Sequence, residues 1–160
     1  MIIDIHGHYT TAPQQLKDYR ARQIEALKTP LADSFEEEIK ISDDQIRESL
    51  EGAQLKMQRE RGSDITIFSP RAVGMGHHIG DFKTSEEWTR ASNEMIYRVT
   101  ELFPENFIGV AQLPQTPGAD PKTIIPEIER CVKEYGFVGV NLNPDQSGGH
   151  WNSAPLTDKI

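Results

Sequence analysis

His6 and His8 stand one glycine apart and follow directly on the mostly β-branched run Ile2-Ile3-Asp4-Ile5. Imidazole nitrogens bind divalent metals, and two that converge supply half of a four-coordinate site. Convergence requires extended backbone, where side chains at i and i+2 share a face. On a helix the same pair would diverge by roughly 200°. Gly7 leaves no side chain between the rings to crowd an approaching ligand. His-x-His is a weak pattern taken alone, and its position strengthens it. A buried strand running into polar ligands is where parallel α/β proteins place chemistry, at the carboxyl end of the strand. His6 and His8 are therefore read as metal ligands at the end of a first strand.

Other polar residues gather in the same relation to apolar runs. Ser69, Arg71, His77, His78 and Asp81 follow a second run at 64–70; Gln112 and Gln115 lie at and just beyond the end of a third, at 107–113. Asn141, Asn143, Asp145, His150 and Trp151 lie at and beyond the end of a fourth, at 137–142. The planar fork of Arg71 suits a substrate carboxylate, although a surface arginine at a loop start reads the same way. His77 and His78 point apart if extended, so one of them faces the pocket, and His77 is preferred. Asn143 and His150 are further candidates for hydrogen bonds to substrate, in a loop where Asn and Asp also serve turns. Asp4 either orients an imidazole or bonds to backbone, the second being favoured. No Cys-x-x-Cys, phosphate loop, dinucleotide fingerprint or Gly-x-Ser-x-Gly elbow is present, so nucleophilic serine or cysteine catalysis has no support.

The elements that must position these residues alternate. Helical patterns are expected at 14–27, from a Ser42 cap to Arg61-Gly62, from a Thr84 or Ser85 cap to Pro104, and from Asp120-Pro121 to Gly136. Strands separated by helices imply right-handed crossovers and a parallel sheet. Four strand–helix units are about half of a (β/α)8 barrel, which usually needs about 250 residues. The chain of 160 residues stops where another helix should begin. It is expected to be the N-terminal part of one longer barrel domain, soluble only as an oligomer when isolated.

The net charge is −8, which argues against nucleic-acid or polybasic membrane binding. An anionic substrate then needs a local basic pocket acting against the global field. The single cysteine, Cys131, excludes an intrachain disulfide framework and falls in the apolar stripe of a helix, where packing outweighs reactivity. No stretch is long and apolar enough to span a bilayer, and a cytoplasmic protein is expected.

The opening Ile3-Asp4-Ile5-His6-Gly7-His8 resembles the first strand of the amidohydrolase superfamily, whose barrel begins with a metal-binding His-x-His. Segments 2–11, 63–71, 77–82, 102–107 and 127–151 more closely resemble the 4-oxalomesaconate hydratases within it. Ser69-Pro70-Arg71, Asn141-Leu142-Asn143-Pro144-Asp145 and Gly148-Gly149-His150-Trp151 are the specific motifs. The resemblance implies a distorted (β/α)8 barrel and a divalent metal, zinc first, held in part by His6 and His8. It also implies hydration of a conjugated carbon–carbon double bond in a small-molecule tricarboxylate; a homo-oligomer is expected besides. The further ligands and the acid/base of the family have no counterpart in the chain, so the 160 residues alone are expected to be inactive. A metal-dependent decarboxylase or hydrolase on the same scaffold is the nearest alternative, and a non-catalytic half-barrel that serves assembly is the other.

Overall fold

A computed structural model describes residues 1–28, 37–71 and 74–143. Its centre is a parallel sheet of β1 (Ile3–His8), β2 (Ile65–Ser69) and β3 (Phe107–Gly109), in that spatial order. The expected fourth strand is a bridged run, not a regular strand. Val138 N–H donates to Gly109 O (3.1 Å), Ala111 N–H to Gly139 O (3.0 Å) and Asn141 N–H to Ala111 O (2.7 Å), around a parallel Ala111–Val140 bridge. No described element covers its outer side, and Val138, Val140 and Leu142 are exposed there.

The helices are α1 (Gln14–Ala26), α2 (Asp43–Glu51), α3 (Gln54–Arg61), α4 (Phe82–Leu102) and α5 (Ile125–Lys133). α1 agrees with the sequence pattern. α2 begins at the expected Ser42, whose hydroxyl accepts from Gln45 N–H while the Gln45 side chain accepts from Ser42 N–H. The single helix expected to run on from there is broken at Gly52-Ala53. Ile46, Leu50, Leu55 and Gln58 are all buried. Five residues of unbroken helix would carry Leu55 about 140° away from Leu50, so the break restores both to the core. Glycine, a poor helix former, makes the interruption cheap.

α4 starts three residues before the expected caps. Asp81 Oδ1 accepts from Thr84 N–H and from Thr84 Oγ1, each at 2.8 Å. The carboxylate takes the cap and leaves Thr84 and Ser85 to be buried in the first turn. Asp120 likewise accepts from Lys122 N–H (2.9 Å), but the turn it caps, Pro121–Ile124, is a 3-10 turn leading into α5. None of the helices among the described residues is long and apolar enough to cross a membrane.

α4 packs on β2 and β3 and meets α1 and α2 on its other sides. Phe68 and Phe107 meet as tilted rings, 4.6 Å between centroids, in one core with the fully buried Ile96 and Val99. A polar girder joins this layer to α5. Asn93 pairs with both backbone groups of Gln112 (2.9 Å each) and donates to Glu127 (2.7 Å), which also takes Arg130 at 2.6 Å. Burial alone would raise the Glu127 carboxyl, but the hydrogen bonds from Arg130 and Asn93 overcome it and hold the group below its usual range. Cys131 lies against the same carboxylate, and burial pushes its thiol up to about 12, in keeping with a packing role.

The opposite face of the sheet is concave. Asn141 Nδ2 donates to Ser69 Oγ at 3.1 Å although their strands are two apart in the sheet. Strands two apart in a flat sheet are separated by about 9.6 Å, so two short side chains meet because the sheet curls as in a barrel.

Candidate metal centre

β1 carries one residue more than β2 just where its histidines begin. Asp4 pairs with Thr66 and Gly7 with Phe68, three residues against two. This bulge turns the strand end and re-aims the side chains beyond it. Gly7 serves it in a way the sequence did not suggest. A Cβ there would lie 2.3 Å from Thr66 Cγ2 and 3.1 Å from Phe68 Cδ2. The glycine admits β2, and is not merely a gap left for ligand.

The two rings then converge. His6 Nε2 and His8 Nε2 are 3.0 Å apart, with the ring planes at 84°. Two nitrogens bound to one zinc at 2.0–2.1 Å with a tetrahedral angle lie about 3.3 Å apart, so the pair fits a metal ion to within a few tenths of an ångström. His6 is exposed and His8 half-buried. His8 Nδ1 is held from behind, 2.8 Å from Ser69 Oγ and 3.2 Å from Pro70 O. Asp4 accepts from the backbone N–H of His6 (3.1 Å), the structural alternative for that carboxylate. Among the described residues no group of three or more His, Cys, Asp or Glu is placed so that it could hold a metal ion. The two imidazoles are candidate metal ligands.

Arg71, exposed two residues beyond β2, lines a cavity of about 260 Å³ together with Lys17; His8 lines a neighbouring cavity with Asp4 and Gly7, and the two cavities share Thr10. Tyr9, Trp88, Met95 and Ile96 make apolar walls. Burial pushes the Tyr9 hydroxyl up to about 12, and it shares a 2.7 Å hydrogen bond with Ser49 Oγ.

The structure does not leave His77 on the rim. Its ring is 1% exposed, packed on α4 with Nδ1 2.8 Å from Ser85 Oγ. The helix start at Asp81 brings Ser85 to it, and the imidazole is drawn into the core in place of the pocket. Asn143 is engaged through its backbone: its N–H donates to Gln115 Oε1 (2.6 Å) and its carbonyl accepts from Gln115 Nε2 (3.2 Å). His150 lies outside the described residues, as do Asp145 and Trp151. Sequence reading grouped Ser69 and Asn141 with the polar strand ends without singling them out. The signal available was register: Ser69 ends β2 directly beside His8 on β1.

Residues 3–160 match the family model described as amidohydrolase. A curated relative, 2-keto-4-carboxy-3-hexenedioate hydratase of Sphingobium sp., is 51% identical over 161 residues, taking in 100% of this chain and 46% of the relative. The crystal structure of 4-oxalomesaconate hydratase from Rhodopseudomonas palustris is 61% identical with a TM-score of 0.87, over 99% of this chain and 46% of that one. A dihydroxybenzoic acid decarboxylase from Polaromonas sp., solved with bound manganese and an inhibitor, is 27% identical with a TM-score of 0.57, over 89% of this chain and 38% of that one. The chain spans a little under half the length of the two hydratases. Its curved parallel sheet, the paired imidazoles at the end of β1 and the family match agree: the chain belongs to the amidohydrolase family.

Proposed function

We propose that the protein is a metal-dependent hydratase that adds water to the carbon–carbon double bond of 4-oxalomesaconate, in the breakdown of protocatechuate and lignin-derived aromatics. The observation that carries this reading is the convergence of His6 and His8, 3.0 Å apart between Nε2 atoms, in a chain similar along its whole length to hydratases. The two Nε2 atoms would hold a divalent metal, with zinc, which imidazole nitrogen suits, taken first. Bound there, such an ion polarises a substrate oxygen or a water.

The chain's own residues bind and orient. Arg71 offers a bidentate fork to one carboxylate of a tricarboxylate, and Lys17 adds a second positive charge on the same cavity. This local cationic edge is what an anionic substrate requires against a net charge of −8. The apolar walls exclude water from the carbon skeleton, which strengthens both charge contacts. Addition of the water oxygen to the double bond would build enolate-like charge on the adjacent carbonyl or carboxylate, and hydrogen-bond donors aimed at that oxygen would stabilise it. Asn143 and His150 are lesser substrate partners in the same reading. A homo-oligomer belongs to the same reading. A cytoplasmic location accords with a lone cysteine kept as a buried free thiol.

The chain extended to the full length of its hydratase relatives, loaded with zinc, is given 4-oxalomesaconate while double-bond absorbance and carbon dioxide release are followed together. Hydration removes absorbance without releasing carbon dioxide. Stoichiometric carbon dioxide would overturn the reading in favour of a decarboxylase.

A further inference from the structure

We infer that Ser69 is a positioning residue for His8, fixing the imidazole tautomer that bares Nε2 toward the metal, with Asn141 completing the bond set. The inference rests on the reading of His6 and His8 as metal ligands.

Four polar atoms surround Ser69 Oγ: His8 Nδ1 at 2.8 Å, Asn141 Nδ2 at 3.1 Å, Gly7 O at 3.2 Å and Pro70 O at 3.3 Å. A hydroxyl has one proton to give and two lone pairs. The two carbonyls can only accept, so the proton goes to them. The Asn141 amide can only donate through Nδ2, so it takes one lone pair. The remaining lone pair faces His8 Nδ1, which must therefore carry its hydrogen. Pro70 O gives the same answer independently, because it lies 3.2 Å from His8 Nδ1 and would repel a bare nitrogen there. A neutral imidazole protonated at Nδ1 has its lone pair at Nε2, the atom that faces His6 at 3.0 Å.

The fold makes this arrangement rigid. Ser69 is only 2% exposed and is the register partner of His8, so the serine cannot turn to water. Asn141 reaches it across the concave face from the fourth extended run. Two strands and the fourth extended run, far apart in sequence, thus meet at Ser69 Oγ, which holds the ring nitrogen. Groups that orient a ligating histidine in this way typically account for 10–100-fold in metal affinity.

The test begins with metal-free, ¹⁵N-labelled protein, in which long-range ¹H–¹⁵N correlations report which ring nitrogen of His8 is protonated. The expected result is protonation at Nδ1. Protonation at Nε2 overturns the inference, and this measurement needs no variant to fold. Zinc affinity is then measured by competition with a chelator. Ser69→Ala should weaken binding about 10–100-fold and mix the His8 tautomers, while Ser69→Thr, which keeps the hydroxyl, should stay within about threefold of the parent. An unchanged affinity in Ser69→Ala sinks the inference. His6→Ala serves as the separate check: if it binds zinc as tightly as the parent, the metal reading itself fails, whatever the tautomer of His8.

Discussion

His8 and His77 make the same bond and have opposite fates. Each places Nδ1 2.8 Å from a serine hydroxyl, Ser69 for the one and Ser85 for the other. At the concave end of the sheet, His8 is half-buried and turns its second nitrogen onto another imidazole. Within the helical layer, His77 is fully enclosed and opens onto no cavity among the described residues that carries another imidazole. Burial first, then the charges of Arg20 and His78, lower the pKa of His77 to about 4. A serine behind an imidazole therefore does not make a ligand. What makes one is the direction of the other nitrogen and an open space in front of it.

The sharpest way to break the contrast is to delete each ring. His6→Ala or His8→Ala should cut zinc affinity by more than about 100-fold, beyond the range for an orienting group, while His77→Ala leaves it unchanged. Chelator competition on the three variants checks this, and a zinc loss in His77→Ala would dissolve the distinction.

The second expected effect is on stability against pH. The folded pKa of His77 lies below that of the unfolded chain, so the unfolded state binds the extra proton between the two values. The stabilisation from neutral His77 is full above pH 6.5 and is lost as pH falls toward about 4, to a limit of about 3 kcal/mol. Urea unfolding from pH 7 to pH 4 should show this slope, and His77→Asn should flatten it. Equal slopes in both proteins would mean that the buried ring is not the source.

A smaller change tests the strand that aims the metal pair. Gly7→Ala places a methyl 2.3 Å from Thr66 Cγ2, so β1 must shift or the side chains of β2 must move. We expect a loss of about 1–3 kcal/mol in unfolding free energy, with weakened zinc binding as the rings lose their register. The same destabilisation with unaltered zinc affinity would show that the bulge tolerates the shift. The smallest effect is expected at Arg71→Lys, which keeps the charge and loses the fork. KM should rise about tenfold with kcat little changed, as for uniform binding of a carboxylate. A fall in kcat at constant KM would assign Arg71 to the transition state.

Much of this was legible in the residues. The His6–His8 convergence comes from a period of two in extended backbone, which depends on nothing distant. Three of the four expected strands formed within a few residues of their apolar runs, and the Ser42 cap and α1 obeyed local rules. The errors share one cause. The break at Gly52-Ala53, the helix start at Asp81 and the burial of His77 were each decided by which face had to meet the core. Asn143 and Asn141 were equivalent as letters. In the fold, Gln115 takes the backbone of one, and the side chain of the other reaches Ser69.

The sequence by itself determined the alternation of strands and helices, the family resemblance and the two imidazoles that share a strand face, because these arise from spacing along one segment. Only the tertiary structure decided which nitrogen of His8 is free, why Gly7 must be glycine and which polar residues join the centre. Those depend on register between strands about 60 residues apart and on the curl of the sheet. Packing of the helical layer sets both, and no local pattern encodes either one.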